Sequence, residues 1–240
     1  MKIGVITIVY DGYGRFIYNW VKSIFKQKER VNEIVIVLSH NHGLLAEHEK
    51  AIKYTSAMID IEVKFIYIGK RKSIGELRNC GIREMKSDWI LYFSADDVLL
   101  ENAVEEIGEA RVVRRSGGKI VEEADVVALR YYQECYCERI EQATLIPEKD
   151  KMMDWRKHYR NSGYIAFKKS IWEEYPYDDN DFPNFPFLFR LVKNNKRFGR
   201  TQNPCAVYIK RKDSHSGKRT EEQDREAYRI IDNAAKMCQQ

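Results

Sequence analysis

The stretch Ser73–Asp97 reads SIGELRNCGIREMKSDWILYFSADD, and it joins a helix signal to a strand signal. Ser73, with Glu76 three residues later, forms the capping-box pattern that begins a helix, and apolar residues then recur at helical spacing. After a short polar connection, Trp89–Phe93 is a continuous apolar run, typical of a strand buried on both faces. A helix that leads into a buried strand predicts one unit of a parallel α/β sheet.

The residues before this stretch repeat the alternation. Strand signals lie at Gly4–Tyr10, Glu33–Leu38 and Ile61–Ile68, and helix signals lie at Phe16–Phe25 and Leu44–Met58. We therefore expect an α/β fold with a central, mostly parallel twisted sheet and helices on both faces. Right-handed crossovers would place the loops that follow the strands at one edge, where ligands of such sheets bind.

The second half of the chain has weaker signals. Three of the five prolines fall within Tyr175–Phe189, and this density of helix breakers predicts a long loop. The remaining predicted elements are a helix over Asn102–Arg115, strands over Val126–Tyr132, Gly163–Phe167 and Ala206–Ile209, and a polar terminal helix over Glu221–Met237.

Composition excludes some classes of protein. The 240 residues are 44% hydrophobic and 32% charged, a balance that argues against a mostly disordered chain. No run approaches the ~20 apolar residues of a membrane span. The apolar N-terminus has no small-residue cleavage site, and the five cysteines are irregularly spaced. We therefore expect a first strand rather than a signal peptide, reduced thiols and a cytoplasmic location.

Basic residues are concentrated near the C-terminus. Residues 190–219 contain ten Lys and Arg and one acidic residue, so this block carries a net charge of +9 although the whole chain carries only +5. Such a block attracts an anion, for example a diphosphate, a nucleic acid or an acidic membrane surface. The alternative is an ordinary solvated, lysine-rich face.

Two acids follow the predicted strand that ends at Phe93. Asp96 and Asp97 would repel each other at the end of a central strand unless positive charge lies nearby. Mg²⁺ and Mn²⁺ prefer carboxylate oxygens and substrate phosphates, so a divalent ion fits this pair. The alternative is that the pair caps the helix that begins near Glu101.

Two segments together resemble a known family. Arg78–Ile82 and Phe93–Asp97 resemble the central block of family-2 glycosyltransferases of the GT-A fold, in which an Arg-Asn-x-Gly-Ile helix precedes a strand that ends in an Asp-Ala-Asp-Asp motif. Val21–Gln27 is also similar to the family's Ser-Ile/Leu-x-x-Gln helix. The resemblance covers about residues 3–104 well and the rest loosely.

The resemblance implies a function and a domain organisation. It implies a metal-dependent glycosyltransferase that uses Mn²⁺ or Mg²⁺ and moves a sugar from a nucleotide-diphospho-sugar, most readily a UDP-sugar, to an acceptor hydroxyl. The GT-A domain would span residues 1–220, with a nucleotide-sugar-binding half at 1–104 and an acceptor-side half at 105–220, and a C-terminal helix would follow at 221–240.

The resemblance also implies roles for single residues. Asp97 would coordinate the metal that bridges the diphosphate, and Asp96 would contact the ribose or the sugar or share that metal. Tyr10 and Asp11 lie where the family's turn meets the nucleoside, and Arg78 would help to hold the nucleotide.

Other residues complete the predicted site. His215 would contact the diphosphate or the metal, unless it is a surface histidine. Arg71 lies in a Lys-Arg-Lys loop after the third predicted strand and would stabilise the leaving diphosphate, unless this loop is a solvated turn. The sequence departs from the family at two places. Ser94 replaces the first Asp of the motif, which bears on the affinity and geometry of the metal site. Ser39, which can bond a base edge, follows Leu38 where an Asp pair is usual, so the nucleotide is left open.

The acceptor hydroxyl needs a base. In the family an acidic residue precedes an apolar helix that ends in Arg-Leu, and the strict offset from Arg190 falls on Pro183 and Asn184, which cannot act as a base. A shift of two or three residues makes Asp181 the first candidate, and Asp179 is the second. With Asp181 as the base, we expect a single inverting displacement.

Two other functions stay open at this stage. The departures at Ser94 and Leu38 favour a GT-A nucleotide-binding protein without transferase activity. The basic 190–219 block favours a nucleic-acid-binding protein. The transferase and nucleic-acid hypotheses merge in an enzyme that glycosylates a hydroxymethylated base in DNA, while a glycan, a cell-surface precursor or a lipid-linked phosphate is the other kind of acceptor.

Overall fold

Nine strands of the described chain form one sheet. The computed structural model describes residues 1–116, 119–135, 138–144, 164–211 and 220–239. The strands of the sheet are β1 (Ile3–Val9), β2 (Glu33–Leu38), β3 (Glu62–Tyr67), β4 (Trp89–Tyr92), β5 (Val98–Leu99), β8 (Val126–Cys135), β9 (Glu138–Ala143), β10 (Ile165–Lys168) and β11 (Phe198–Lys210). Two further strands, β6 (Val112–Ser116) and β7 (Lys119–Glu123), pair only with each other.

The sheet is parallel in its first half and mixed in its second. Its order is β3-β2-β1-β4-β10-β8-β11-β5, with β9 paired to β8. The pairs among β1 to β4 are parallel, β10 runs antiparallel to both of its neighbours, and β11 is parallel to β8. The predicted α/β fold with a mostly parallel central sheet is therefore confirmed in the half that contains residues 3–92.

Helices cover both faces of the sheet, as the continuous apolar strands predicted. On one face lie α1 (Gly14–Phe25), α2 (Ala46–Met58) and α4 (Ala103–Ala110), and on the other lie α3 (Ile74–Arg83), α5 (Lys169–Glu174) and α6 (Asn184–Lys193). Successive side chains of β1 divide between the two cores, because Ile3 and Val5 pack with the first group and Ile6 and Ile8 with the second.

The C-terminal helix α7 (Glu221–Gln239) packs against α6. Ala227 and Ile231 of α7 form a small apolar cluster with Phe185 and Phe189 of α6. None of the helices in the part of the chain that the structure describes is long and apolar enough to cross a membrane.

The start of α3 has the structure that its sequence predicted. The Ser73 hydroxyl accepts a hydrogen bond from the Glu76 amide at 3.1 Å, and the Glu76 carboxylate accepts one from the Ser73 amide at 3.0 Å. This reciprocal pair is the capping box, and it fixes the first turn of α3 immediately after the loop that follows β3.

Two predicted boundaries were wrong. The helix predicted over Asn102–Arg115 ends at Ala110, because the β-branched Val112 and Val113 belong to β6, which pairs with β7. The loop predicted over Tyr175–Phe189 ends at Pro183, since α6 occupies its second half. Pro186 lies in the first turn of α6, where a proline removes no intrahelical hydrogen bond.

Strand β11 is much longer than predicted. It runs over Phe198–Lys210 instead of Ala206–Ile209, with irregular pairing around Pro204. The first part of this strand contains polar residues and Pro204, so it lacks the apolar pattern by which strands are predicted from sequence. Because β11 passes beside β5, its last residues arrive next to the acidic pair that precedes β5.

Candidate active site at the carboxyl edge of the sheet

The parallel strands β1, β2 and β4 end at the same edge, which we call the carboxyl edge. The register places Val9 beside Leu38, and Phe93 continues from β4 with its amide bonded to the Ile6 carbonyl at 3.0 Å. The residues that follow these strands, including Tyr10, therefore meet at one end of the sheet. This is the position where the crossover geometry predicted a ligand site.

Arg78 is the buried cation of this edge. Its side chain projects from α3, is only 5% exposed, and lies 3.6 Å from the centre of the Tyr92 ring. The Tyr177 ring lies 5.0 Å away, and the Asn184 side-chain oxygen accepts a hydrogen bond from the guanidinium. Across the residues that the structure describes, no carboxylate forms an ion pair with Arg78, and its Nε is buried without a hydrogen-bond partner.

Tyr10 lies between this cation and the acidic motif. Burial raises the pKa of Tyr10 well above its usual value, with smaller contributions in the same direction from Tyr92, Tyr13 and Asp96, while the charge of Arg78 opposes the shift. The Tyr10 and Tyr13 rings are stacked with their centres 5.2 Å apart. Tyr10 therefore stays neutral and presents an aromatic surface and a hydroxyl to the edge.

Asp97 is bonded on both carboxylate oxygens. It is 2% exposed; the Ile209 amide donates to Oδ1 at 2.9 Å, and the Tyr164 hydroxyl donates to Oδ2. Burial, followed by the neighbouring Asp96, raises the pKa of Asp97 well above its usual value, and the two hydrogen bonds oppose that shift. Asp97 thus connects the turn after β4 to β11 and to Tyr164, which precedes β10.

Asp96 is paired with a cation from the end of β11. The Arg211 guanidinium donates to the Asp96 carbonyl oxygen at 2.6 Å and lies 3.4 Å from Oδ2 of the same residue. The Asp96 side chain is 10% exposed, and the Arg211 guanidinium packs 4.5 Å from the centre of the Phe16 ring. The negative charge of Asp96 is therefore balanced by an arginine.

This donor set does not fit a resident Mn²⁺ or Mg²⁺. Such ions need several oxygen ligands, but Asp97 is 2% exposed and Ser94 is not an acid. The Arg211 guanidinium, 3.4 Å from the Asp96 carboxylate, also repels a second cation from that acid. The described ranges contain no group of three or more His, Cys, Asp and Glu side chains that could hold a metal. His215, the third predicted ligand, lies outside the described residues.

The two candidate bases lie at the start of α3. The Ile74 amide donates to the Asp181 carboxylate at 3.0 Å, and the Ser73 hydroxyl donates to the Asp179 carboxylate at 2.5 Å. Both aspartates are exposed and cap the helix that carries Arg78. Asn184, where the strict offset falls, is the residue in direct contact with Arg78.

The remaining predicted residues also lie around the carboxyl edge. Ser39 is buried, donates its amide to the Val9 carbonyl at 2.8 Å, and has its hydroxyl 3.3 Å from Nδ1 of His40. Asp11 is exposed in the turn after β1 with a φ of 45°, and Arg71 is exposed in the loop before α3. Their roles stay predictions.

The basic block is partly neutralised by acids. Arg190 pairs with Asp178, Lys196 pairs with Glu174 at 2.7 Å, and Arg197 pairs with Glu122 at 3.2 Å. Residues 212–219 of the block lie outside the described residues. The described part of the block therefore gives no particular support to a nucleic-acid surface.

Sequence reasoning missed two contacts of the motif, that of Tyr164 with Asp97 and that of Arg211 with Asp96. The basic block pointed to Arg211 only as one of ten cations. Tyr164 lies 67 residues from Asp97 and Ile209 lies 112 residues from it, so no local spacing could have revealed these partners.

Replacing Tyr164 with Phe tests the support of Asp97. We expect Tyr164→Phe to lower the free energy of unfolding by about 1–3 kcal/mol, because a buried carboxylate loses a donor. The loss should grow as the pH rises through the raised native pKa of Asp97 and above it, because removing the hydroxyl raises that pKa further and only the variant then goes on losing stability as the pH increases. Urea unfolding at several pH values measures both effects.

Tyr131→Phe is the matched control. Tyr131 is 3% exposed and its ring centre lies 5.4 Å from that of Tyr164, but its hydroxyl makes no hydrogen bond within the described chain. Equal losses in the two variants, or a Tyr164→Phe loss that is independent of pH, would contradict this account of Asp97.

Comparison with solved structures gives the same fold. TarS of S. aureus, residues 1–349 in complex with UDP-GlcNAc, matches with a TM-score of 0.68 at 16% identity, over 98% of this chain and 66% of the TarS chain. The mannosyltransferase PcManGT from Pyrobaculum calidifontis, in complex with GDP-Man and Mn²⁺, matches with a TM-score of 0.57 at 11% identity, over 96% of this chain and 60% of that one. The chain thus spans just under two thirds of the length of these structural relatives.

Comparison of the sequence with protein families is more specific. No curated protein gives a significant match. The family model for glycosyl transferase family 2 matches residues 4–192, which include the strands of the carboxyl edge, Arg78 and the acidic motif. With this match over most of its length, and with the GT-A fold of its solved neighbours, the chain belongs to glycosyl transferase family 2.

Proposed function

We propose that this protein transfers a sugar from a nucleoside diphosphate sugar to an acceptor hydroxyl, and that Arg78 receives the donor's diphosphate. The observation that carries the proposal is the burial of Arg78 at the carboxyl edge without a carboxylate partner among the described residues. Burying a charge without a counter-ion costs several kcal/mol. A diphosphate bound at this edge would supply the missing negative charge and would accept hydrogen bonds from the guanidinium.

The surroundings of Arg78 suit a nucleotide. The half-buried Tyr10 and Tyr92 provide aromatic surface on which a nucleoside can stack, and Ser39 lies at the end of the next strand as a polar contact for the base. The solved structure of TarS is a complex with UDP-GlcNAc, and that of PcManGT is a complex with GDP-Man and Mn²⁺. We favour a UDP-sugar as the donor.

The transfer itself needs a base for the acceptor hydroxyl. We propose Asp181 for this role and Asp179 as the second choice, in a single inverting displacement. Both carboxylates cap α3, the helix that also carries Arg78, so the proposed base and the proposed diphosphate contact belong to the same helix. A glycan or a cell-surface precursor is our proposed class of acceptor.

A second candidate function is nucleotide-sugar binding without transfer. The observation that favours it is Asn184, which occupies the strict offset position of the base and has its side-chain oxygen bonded to Arg78. An amide cannot take a proton from a hydroxyl. In this case Asp179 and Asp181 would serve only as caps of α3.

Arg78→Met separates a ligand-binding arginine from a structural one. We expect UDP affinity to fall roughly ten- to a hundredfold, because charge-assisted bonds to the diphosphate are lost. The free energy of unfolding should stay within about 1 kcal/mol of the wild type, because an apolar side chain replaces an unpaired buried charge. Isothermal titration calorimetry and urea unfolding measure the two quantities.

Arg111→Met is the control for this variant. Arg111 pairs with Glu123, so its loss should lower stability by about 1 kcal/mol and leave UDP affinity unchanged. Wild-type affinity for UDP in Arg78→Met would overturn the role proposed for Arg78.

Asp181→Asn tests the base. We expect transfer to an acceptor to slow at least ~100-fold, because the amide of Asn cannot take a proton from the hydroxyl. UDP binding should be retained, because the side-chain oxygen of Asn can still accept the hydrogen bond from the Ile74 amide. Initial rates with a UDP-sugar and a panel of hydroxyl acceptors provide the readout.

The same rates decide between the alternatives. If Asp179→Asn slows sugar transfer while Asp181→Asn transfers at the wild-type rate, then Asp179 is the base. Wild-type protein that binds UDP tightly but transfers no sugar to any acceptor would favour binding without transfer.

A further inference from the structure

An arginine pairs here with Asp96, one of the two acids to which the family resemblance assigns a metal. We propose that the Arg211 guanidinium, instead of a divalent ion, neutralises the donor's diphosphate, so that nucleotide binding by this chain is independent of metal. This inference rests on the proposed function, because it concerns the same donor site.

Asp97 is buried and held by hydrogen bonds from the protein. Its two oxygens accept hydrogen bonds from Ile209 and Tyr164, and the residue is 2% exposed. A metal ligand must turn a free lone pair towards the ion, and the lone pairs that the two hydrogen bonds leave to Asp97 are buried, since the residue is 2% exposed. Asp97 therefore acts as a support that holds the end of β11 against the acidic motif.

By holding the end of β11, Asp97 positions Arg211. Ile209 is held by Asp97, and Arg211 follows it by two residues on the same segment. The guanidinium then donates to the Asp96 carbonyl at 2.6 Å, approaches its carboxylate at 3.4 Å and packs over the Phe16 ring at 4.5 Å. Contacts of this kind fix a planar guanidinium before the ligand arrives, which lowers the entropy lost on binding.

The charges at the carboxyl edge favour a diphosphate over a second cation. Ser94 contributes no charge where the resemblance expects an acid, which leaves Asp96 and the buried Asp97. The described residues place two arginines at this edge beside the motif: Arg78, which has no carboxylate partner there, and Arg211, which pairs with Asp96; Arg71 and Asp11 lie exposed around the same edge. Two guanidinium groups can donate paired N–H bonds to a diphosphate, and fewer acids remain to attract a second cation.

The proposed transfer step balances without a metal. The bond between the sugar's anomeric carbon and the diphosphate oxygen breaks, and its electron pair leaves on the diphosphate. The acceptor oxygen forms the new bond to the anomeric carbon, and its proton passes to the base carboxylate. Arg211 would stabilise the negative charge that develops on the leaving oxygen.

The test measures nucleotide binding rather than turnover. UDP and GDP are titrated into the whole chain by calorimetry, once in EDTA and once with Mn²⁺, for the wild type, Arg211→Ala, Arg211→Lys and Arg30→Ala. Arg30 is the matched control, because it also pairs with an aspartate, Asp60, but lies before β2, at the opposite end of the sheet. Circular dichroism confirms that each variant is folded.

We expect at least one nucleotide to bind the wild type in EDTA, with less than about a threefold change on adding Mn²⁺. Arg211→Ala should weaken binding in EDTA roughly ten- to a hundredfold, Arg211→Lys should weaken it less, and Arg30→Ala should leave it unchanged. If Arg211→Ala does not fold, the EDTA comparison on the wild type and the Arg211→Lys titration still decide the question.

Three results would overturn the inference. Binding by the wild type only when Mn²⁺ is present would show that a metal is required, and wild-type affinity in Arg211→Ala would show that the guanidinium does not contact the diphosphate. Failure of both nucleotides to bind with or without Mn²⁺ would instead remove the proposed function on which the inference rests.

Discussion

The charge of the carboxyl edge is set by a buried guanidinium, that of Arg78, which has no carboxylate partner in the part of the chain that the structure describes. Arg78 is held between Tyr92 and Tyr177 and by Asn184, so its position is determined by packing and a neutral hydrogen bond rather than by an acid. Its charge remains available to an anionic ligand, at a cost of several kcal/mol to the free protein. The chain balances that cost with two large cores on either side of the sheet.

The two acids of the motif make different contacts and so have different roles. Asp97 is buried and joins distant parts of the chain, whereas Asp96 balances a cation at the mouth of the sheet. Like charges on adjacent residues are tolerated because each has its own donors, Tyr164 and the Ile209 amide for one and Arg211 for the other. These contacts among the described residues explain how the two acids can be adjacent.

Local signals predicted the first half of the fold well. The capping box of α3 and the apolar strand β2 depend on residues within a few positions of each other, and both are confirmed. The second half depends on distant pairing: β11 takes its shape from β8, and α6 extends through a proline-rich stretch because α7 covers its phenylalanines. The site divides in the same way, since Arg78 and the acidic pair form a local motif, whereas Tyr164 and Arg211 reach that motif only through tertiary contacts.

The central claim is that the charges of the carboxyl edge are arranged to receive a diphosphate. The most direct measurement is the structure of a crystal of the whole chain that has been soaked with UDP in the presence of EDTA. The account predicts density for the diphosphate at the carboxyl ends of β1 and β4, with its oxygens within hydrogen-bond distance of the Arg78 and Arg211 guanidinium groups. Nucleotide density elsewhere on the molecule, or a diphosphate at this edge that touches neither arginine, would contradict it.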